Sequence, residues 1–230
     1  MKKLLISNKQ DPGEIVAYSH VVENVKFQNC VLSMAGANNR SKLKDCEFKD
    51  IGLTDCSVGH PIFENCKFKN IIANETVTLY ESLFIECFIS GKIRNLNFGK
   101  IKRDGIPFFS EARYLEDAAR LEDCAFSIDI TTVTDMDECG FIGDVIARKI
   151  RFKKGQGLLL KGERLDLVFR PIIKSITDND FGIVVVGPAG FGKSYNLHFC
   201  AIPTRVAHKA DEYASIIRSY GVEVYEEPLI

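Results

Sequence analysis

The chain has no tryptophan, no long apolar run and a formal net charge of only -1 over 230 residues. Proteins that bind nucleic acid by neutralising phosphates carry a basic excess or a basic stripe, which is missing here. A membrane-spanning helix needs about 20 consecutive apolar residues, and the apolar run at residues 4–6 is also too short for a signal-peptide core. We therefore expect a cytoplasmic protein that binds neither membranes nor nucleic acid.

The cysteines do not have the spacing of a metal site. There are eight cysteines, but no Cys-x-x-Cys pair, and the four histidines are not spaced beside them as ligands. In a reducing compartment such cysteines act as small apolar packing residues. The sequence therefore predicts no metal and no other cofactor.

Seven of the cysteines lie in one recurring context of two five-residue units. The first unit has a bulky apolar residue at its centre and ends in Asn, Asp or Glu, and the second begins with Cys and has a bulky apolar residue two places on. The segments are VKFQNCVLSM, SKLKDCEFKD, IGLTDCSVGH, PIFENCKFKN, SLFIECFISG, ARLEDCAFSI and TDMDECGFIG. A period of five fits neither a helix at 3.6 nor a strand at 2, which indicates a structural repeat.

This period favours a right-handed parallel β-helix, a solenoid in which each five-residue unit forms one side and a turn. The central apolar residues and the cysteines then point inward. Cys46 and Cys66 are 20 residues apart, as are Phe48 and Phe68. With four sides per coil, we expect each pair to stack in successive coils.

The pattern resembles that of the pentapeptide-repeat proteins over somewhat more than half of the chain. The resemblance implies a bacterial, non-enzymatic protein that protects, inhibits or confers immunity by binding another protein. Irregular cysteine spacings leave a looser right-handed β-helix open as an alternative to the square one. Some family members imitate DNA and bind topoisomerases, which requires a continuous acidic face, whereas lysines and arginines alternate with the acids here.

A segment from about residue 99 to residue 119 departs from the repeat. It contains Arg103 and the adjacent aromatic residues Phe108 and Phe109. A loop that leaves a rigid scaffold often carries a binding site, and adjacent aromatic residues are typical anchors. The segment therefore predicts a partner-binding loop, and the alternative is that the two aromatic residues fold back into the core.

The repeat ends near Gly155, so we divide the chain into a β-helix at 1–154 and a small α/β unit at 155–230. The pattern of the second unit predicts a helix-like or mixed stretch around GERLDLVFRPIIKSI, strands in GIVVV, SYNLHFCAI and VEVYEE, and a helix in TRVAHKADEYASIIRSYG. We expect Thr204 to cap that last helix. One role of this unit is to cover the open end of the β-helix.

The stretch GPAGFGKS matches the phosphate-binding loop G-x-x-x-x-G-K-[ST]. In that interpretation Gly187 and Gly192 let the backbone approach the phosphates, Lys193 reaches the terminal phosphates and Ser194 binds magnesium. However, the alternating pattern after Ser194 predicts a strand, where a phosphate-binding loop begins a helix. A glycine-rich hairpin turn fits equally well.

The sequence therefore predicts a non-enzymatic protein-binding module of mainly β structure, with a nucleotide-binding protein or nucleotide hydrolase as the alternative. His198 and Cys200 are close in sequence, but no carboxylate near them is placed to orient the histidine. The oligomeric state and the partner stay open.

Overall fold

The structure is a computed structural model of the full chain. The residues that it describes are 16–18, 21–23, 26–28, 31–32, 42–54, 57–59, 61–80, 82–99, 116, 119–142, 147–163, 165–175, 178–182 and 196–229.

The described residues are mainly β. The strands are β1 (Val16–Tyr18), β2 (Val21–Glu23), β3 (Lys26–Gln28), β4 (Val31–Leu32), β5 (Lys42–Lys44), β6 (Glu47–Thr54), β7 (Ser57–Gly59), β8 (Ile62–Glu64), β9 (Lys67–Tyr80), β10 (Leu83–Ile85), β11 (Cys87–Gly99), β12 (Ile128–Asp137), β13 (Gly140–Ile142), β14 (Gly157–Lys161), β15 (Leu197–Ala201) and β16 (Glu223–Tyr225). The helices are α1 (Leu165–Ser175), a 3-10 helix (Thr204–Lys209) and α2 (Ala210–Ser219).

The strands form two sheets. The smaller sheet has four parallel strands in the order β1-β5-β8-β10. The larger sheet has twelve strands, whose main path runs β16-β14-β15-β13-β11-β9-β6-β2. Its pairs from β2 to β13 are parallel, and its pairs among β13, β15, β14 and β16 are antiparallel. The larger sheet is therefore mixed.

The expected 20-residue register is present in the parallel part. Phe48 of β6 lies opposite Phe68 of β9, and their rings stack with centroids 5.0 Å apart. Between strands the chain turns at Asp and Asn residues with positive φ, such as Asp45 and Asn65. Short polar side chains tolerate this backbone conformation better than branched ones, and the Asn65 amide donates to the Asp45 carboxylate at 2.6 Å.

The repeat residues build the main core. Most of the central apolar residues that the period places inward are buried, among them Leu43, Leu53, Phe63, Phe68, Phe84, Ile89, Leu121, Met136 and Phe141. Phe63 stacks on Phe84 and Phe98 on Phe141, each pair with ring centroids 5.1 Å apart. Burial of such rings supplies most of the stabilisation, because each one removes a large apolar area from water.

The C-terminal strands close this core and begin a second one. Leu159 of β14 and Phe199 of β15 belong to the main core, and Phe199 meets Phe141 with ring centroids 5.3 Å apart. Leu158 and Leu160 point to the opposite side, where α1 and α2 cover them. Since side chains alternate along a strand, one antiparallel layer separates two apolar cores.

The prediction of a right-handed parallel β-helix followed by a small α/β unit is wrong. The larger sheet is mixed, because β15 pairs antiparallel with β13, so the sheet of the repeat region continues into the C-terminal residues. The five-residue period reports which side chains point inward and which residues pair. It carries no information on the direction of the strands that follow the repeat, and that direction makes the sheet mixed.

The repeat alignment also fails at its sixth segment. Aligning the cysteines places Cys124 beside Cys87, but β11 and β12 pair Cys87 with Ile128. Phe126 is buried, yet it lies outside the main core. The long spacing between these two cysteines admits a shift in register that the pattern alone does not reveal.

Two local predictions for the C-terminal unit need correction. Gly182, which begins the predicted strand GIVVV, is helical. Thr204 is the first residue of a 3-10 helix that leads into α2. Thr204 does not cap either helix, because its hydroxyl accepts a hydrogen bond from the Met136 backbone N–H at 2.7 Å. The stretch predicted as helix-like or mixed contains the helix α1, and the predicted strands at β15 and β16 are confirmed.

Candidate binding surface

The side chains of β6, β9, β11 and β12 that point away from the main core form one continuous surface. The strand registers place them in two rows: Glu47, Lys67, Phe88 and Asp129 in the first, and Lys49, Lys69, Ser90 and Thr132 in the second. The residues between these two rows point the other way, toward the main core; they are Phe48, Phe68 and Ile89. We call this surface the outer face. Neighbouring residues within a row lie about 4.8 Å apart, because their strands are hydrogen-bonded neighbours.

The acids of the outer face are already engaged. Glu47 pairs with Lys49 at 3.4 Å. Asp129 accepts hydrogen bonds from the backbone N–H and the hydroxyl of Thr131 at 2.9 and 2.6 Å. The central strand β9 presents two exposed lysines, Lys67 and Lys69, and neither forms an ion pair with another residue that the structure describes. The centre of the face is therefore positively charged.

An aromatic cluster lies directly beside these lysines. Phe88, which is opposite Lys67, leaves 37 % of its surface exposed. Its ring meets the buried ring of Phe126 edge to face, with centroids 5.1 Å apart. Arg151 lies over the same Phe126 ring, with its guanidinium carbon 4.1 Å from the ring centre. Aromatic and arginine side chains in such clusters are typical of binding hot spots.

The residues that the sequence predicted as sites cannot be placed on this surface. Arg103, Phe108 and Phe109 of the predicted binding loop lie outside the described residues. The same holds for the phosphate-loop candidates Gly187, Gly192, Lys193 and Ser194. Both hypotheses stay predictions.

Four cysteines of the repeat, Cys46, Cys66, Cys87 and Cys124, are buried. Cys46, Cys66 and Cys87 lie in the main core, and Cys66 and Cys87 donate to the backbone carbonyls of Leu43 and Phe63 on the preceding strands, at 3.2 and 3.4 Å. Burial raises the pKa of the Cys87 thiol well above its usual value. A buried protonated thiol is a poor nucleophile, so Cys87 serves packing, as the repeat predicts.

His198 and Cys200 are also internal. Both are buried on β15. Burial raises the pKa of the Cys200 thiol far above its usual value, which keeps the thiol protonated. This arrangement does not favour the activated thiolate that nucleophilic catalysis requires.

A second polar cluster joins the C-terminal helices to β12. Arg205 pairs with Asp137 at the end of β12 and with Asp180. Asp178 accepts from Lys209 at 2.9 Å and from the backbone N–H of Asp180 at 2.9 Å, and these interactions lower the pKa of Asp178 to about 2. Because the charged groups satisfy one another, the cluster's evident role is to hold α2 against the sheet.

Comparisons with protein-family models, with curated proteins and with solved structures find no match to this chain. The resemblance to pentapeptide-repeat proteins therefore stays a prediction. No helix within the described ranges is long and apolar enough to cross a membrane. Nor do those residues contain a group of three or more His, Cys, Asp or Glu side chains placed to hold a metal ion.

The sequence interpretation missed the outer face, although one signal for it was present. The alternation around Phe68 and Ile89 places Lys67, Lys69 and Phe88 outward. An outward phenylalanine in a repeat whose outward positions are mostly polar is such a signal. Arg151 and Phe126 could not have been found this way, because their contact depends on the shifted register of β12.

Proposed function

We propose that this protein is a non-enzymatic cytoplasmic binding protein that presents the outer face to another protein as a protective or inhibitory partner. The observation that carries the proposal is the exposed ring of Phe88 beside Lys67 and Lys69 on a hydrogen-bonded parallel sheet. Such a surface is preorganised, so binding loses little conformational entropy. An aromatic anchor beside flanking charges supplies both affinity and specificity.

The outer face does not favour the alternative of a DNA-imitating topoisomerase binder. That role requires a continuous acidic surface. Here Lys67 and Lys69 occupy the central strand, and the acids beside them, Glu47 and Asp129, are engaged by neighbouring groups. Nucleotide binding by GPAGFGKS stays a separate alternative based on the sequence motif alone.

Affinity capture from a native host lysate, with partners identified by mass spectrometry, tests this proposal. The full chain and a Phe88→Ala variant are immobilised in parallel, and Leu167→Ala serves as the matched control because Leu167 is an exposed apolar residue on α1. We expect the wild type and the control to retain the same partner, and the Phe88 variant to lose it. Equal retention by all three would exclude the outer face as the binding site.

A further inference from the structure

The distance between Lys67 and Lys69, which form no ion pair with another residue that the structure describes, indicates how the charges of a partner are spaced. Lys67 and Lys69 are two residues apart on one strand and point to the same side. Along an extended chain, side chains at positions i and i+2 are about 6.6–6.8 Å apart. In an extended peptide with carboxylates at alternate positions, the distance between the carboxylates therefore matches the distance between the two lysines.

We propose that the outer face binds an extended acidic segment of a partner protein, with two carboxylates in an acid-x-acid arrangement and an apolar side chain two residues from one of them. The carboxylates pair with Lys67 and Lys69, and the apolar side chain packs on Phe88. This inference rests on the proposed function, because it specifies the partner of the same surface.

Charge complementarity favours this occupant. Lys67 and Lys69 have no ion-pair partner among the described residues, while the acids beside them are occupied, Glu47 by Lys49 and Asp129 by Thr131. Two lysines close together repel each other, and paired carboxylates relieve that repulsion. An acidic segment therefore gains two charge-assisted contacts without displacing an existing ion pair at either lysine.

The aromatic cluster supplies the apolar contact. The ring of Phe88 is fixed by Phe126, and Phe126 is held in turn beneath Arg151. Phe88 lies one strand from Lys67, about 4.8 Å away in the pairing direction. An apolar side chain two residues from the carboxylate that reaches Lys67 lies on the same side of the extended segment, so it can pack on Phe88.

Single-stranded nucleic acid is the competing occupant, because it also combines repeated negative charge with planar rings. It fits less well, because its phosphates continue beyond the two lysines and approach the carboxylates of Glu47 and Asp129, which lie in the same row as Lys67 and Phe88. An acid-x-acid segment that runs along β9 places its charges over Lys67 and Lys69 alone. These groups favour a peptide whose charges are confined to two positions.

Fluorescence polarisation with short labelled peptides and the full-length protein tests the inference. One peptide contains Asp-x-Asp-x-Phe, in which all three side chains point to the same side of the extended chain. A second has the two acids adjacent, a third has Asn in place of Asp, and an oligothymidylate is the nucleic-acid probe. We expect the alternate-acid peptide to bind most tightly and the Asn peptide to bind at least about tenfold more weakly. Affinity falls as salt rises, because exposed charge pairs are screened.

The matched variants are Lys67→Gln with Lys69→Gln, and Lys174→Gln as a control on the exposed side of α1. The double variant should weaken binding of the alternate-acid peptide about tenfold and leave binding of the Asn peptide unchanged, with the control equal to wild type. Unchanged thermal unfolding shows that the double variant is folded.

Three results would overturn the inference: equal binding of the acid and Asn peptides, no binding of any peptide, or tighter binding of the oligothymidylate. Its failure can be told apart from failure of the proposed function. If capture of the partner requires Phe88 but the partner binds the double lysine variant as tightly as wild type, the outer face is the binding site and the inference of an acidic segment is wrong. If capture does not depend on Phe88, the proposed function itself fails.

Discussion

The guanidinium carbon of Arg151 lies 4.1 Å from the centre of the Phe126 ring. The same Phe126 ring also contacts the partly exposed ring of Phe88. Arg151 pairs with Asp129 of β12 through a single β-bridge. Arg151 thus supports Phe126, which in turn contacts the aromatic side chain of the outer face. Contacts of this kind fix an aromatic anchor before a partner arrives.

The two faces of β9 and β11 should respond differently to removal of an aromatic ring. Phe68→Ala should lower the free energy of unfolding by about 3–5 kcal/mol, because it leaves a cavity beside Phe48 and Phe63. Phe88→Ala should cost less than about half as much, because its ring is partly exposed. Denaturant unfolding of both variants measures the difference, and equal losses would contradict an outward Phe88.

Gly157 tests the closure of the main core by β14 and β15. A Cβ atom at this position would lie 2.2 Å from the ring of Phe199 and 2.7 Å from the Cys200 carbonyl oxygen. Gly157→Ala should therefore destabilise the protein by about 1–3 kcal/mol. The control Gly162→Ala should cost less, because its nearest contact is the flexible end of Leu165 at 3.0 Å. Equal thermal stability of Gly157→Ala and wild type would contradict this packing.

The Asp178–Lys209 pair predicts a loss of stability in acid. The pKa of Asp178 is lowered to about 2, first by Lys209 and then by the Phe181 backbone N–H. In the unfolded chain the carboxyl titrates near its ordinary pKa of about 3.9. The stabilisation is therefore complete above about pH 5 and is lost as the pH falls through about 2.

Urea unfolding of wild type and Asp178→Asn across that range checks the acid prediction. The difference in unfolding free energy between the two proteins should shrink steadily as the pH falls from about 5 to about 2. A difference that stays constant with pH would show that Asp178 keeps its ordinary pKa in the folded protein.

Nucleotides should not stabilise the protein if GPAGFGKS is a turn. We expect no change in melting temperature with millimolar ATP or GTP and magnesium, and Lys193→Ala should change the unfolding free energy by no more than about 0.5 kcal/mol. If the stretch is a phosphate-binding loop, the bound nucleotide should instead raise the free energy of unfolding by about 2.7 kcal/mol at a nucleotide concentration a hundredfold above the dissociation constant. A shift that disappears in Lys193→Ala would establish the nucleotide-binding alternative.

The parts of the fold that sequence could predict are those governed by local pattern. The five-residue period identified buried positions such as Leu43 and Phe63, and the 20-residue spacing paired Phe48 with Phe68. Both follow from the need of each unit to bury one side chain against its neighbour. These features are repeated along the chain, so the pattern contains them.

The remaining features depend on partners that are distant in sequence. The antiparallel pairing of Phe141 with Phe199 joins residues far apart in the chain, and no local pattern encodes strand direction. The outer face was missed for a related reason. The support of Phe88 by Phe126 requires the shifted pairing of Cys87 with Ile128, which the repeat pattern does not contain.

The most direct test of a binding function on the outer face is lysine footprinting of the full chain with and without its captured partner. Acetylation rates of individual lysines are read by mass spectrometry. We predict that the partner slows modification of Lys67 and Lys69 and leaves Lys174 on α1 unchanged. Unchanged rates at Lys67 and Lys69, with protection of lysines elsewhere, would contradict a binding site on the outer face.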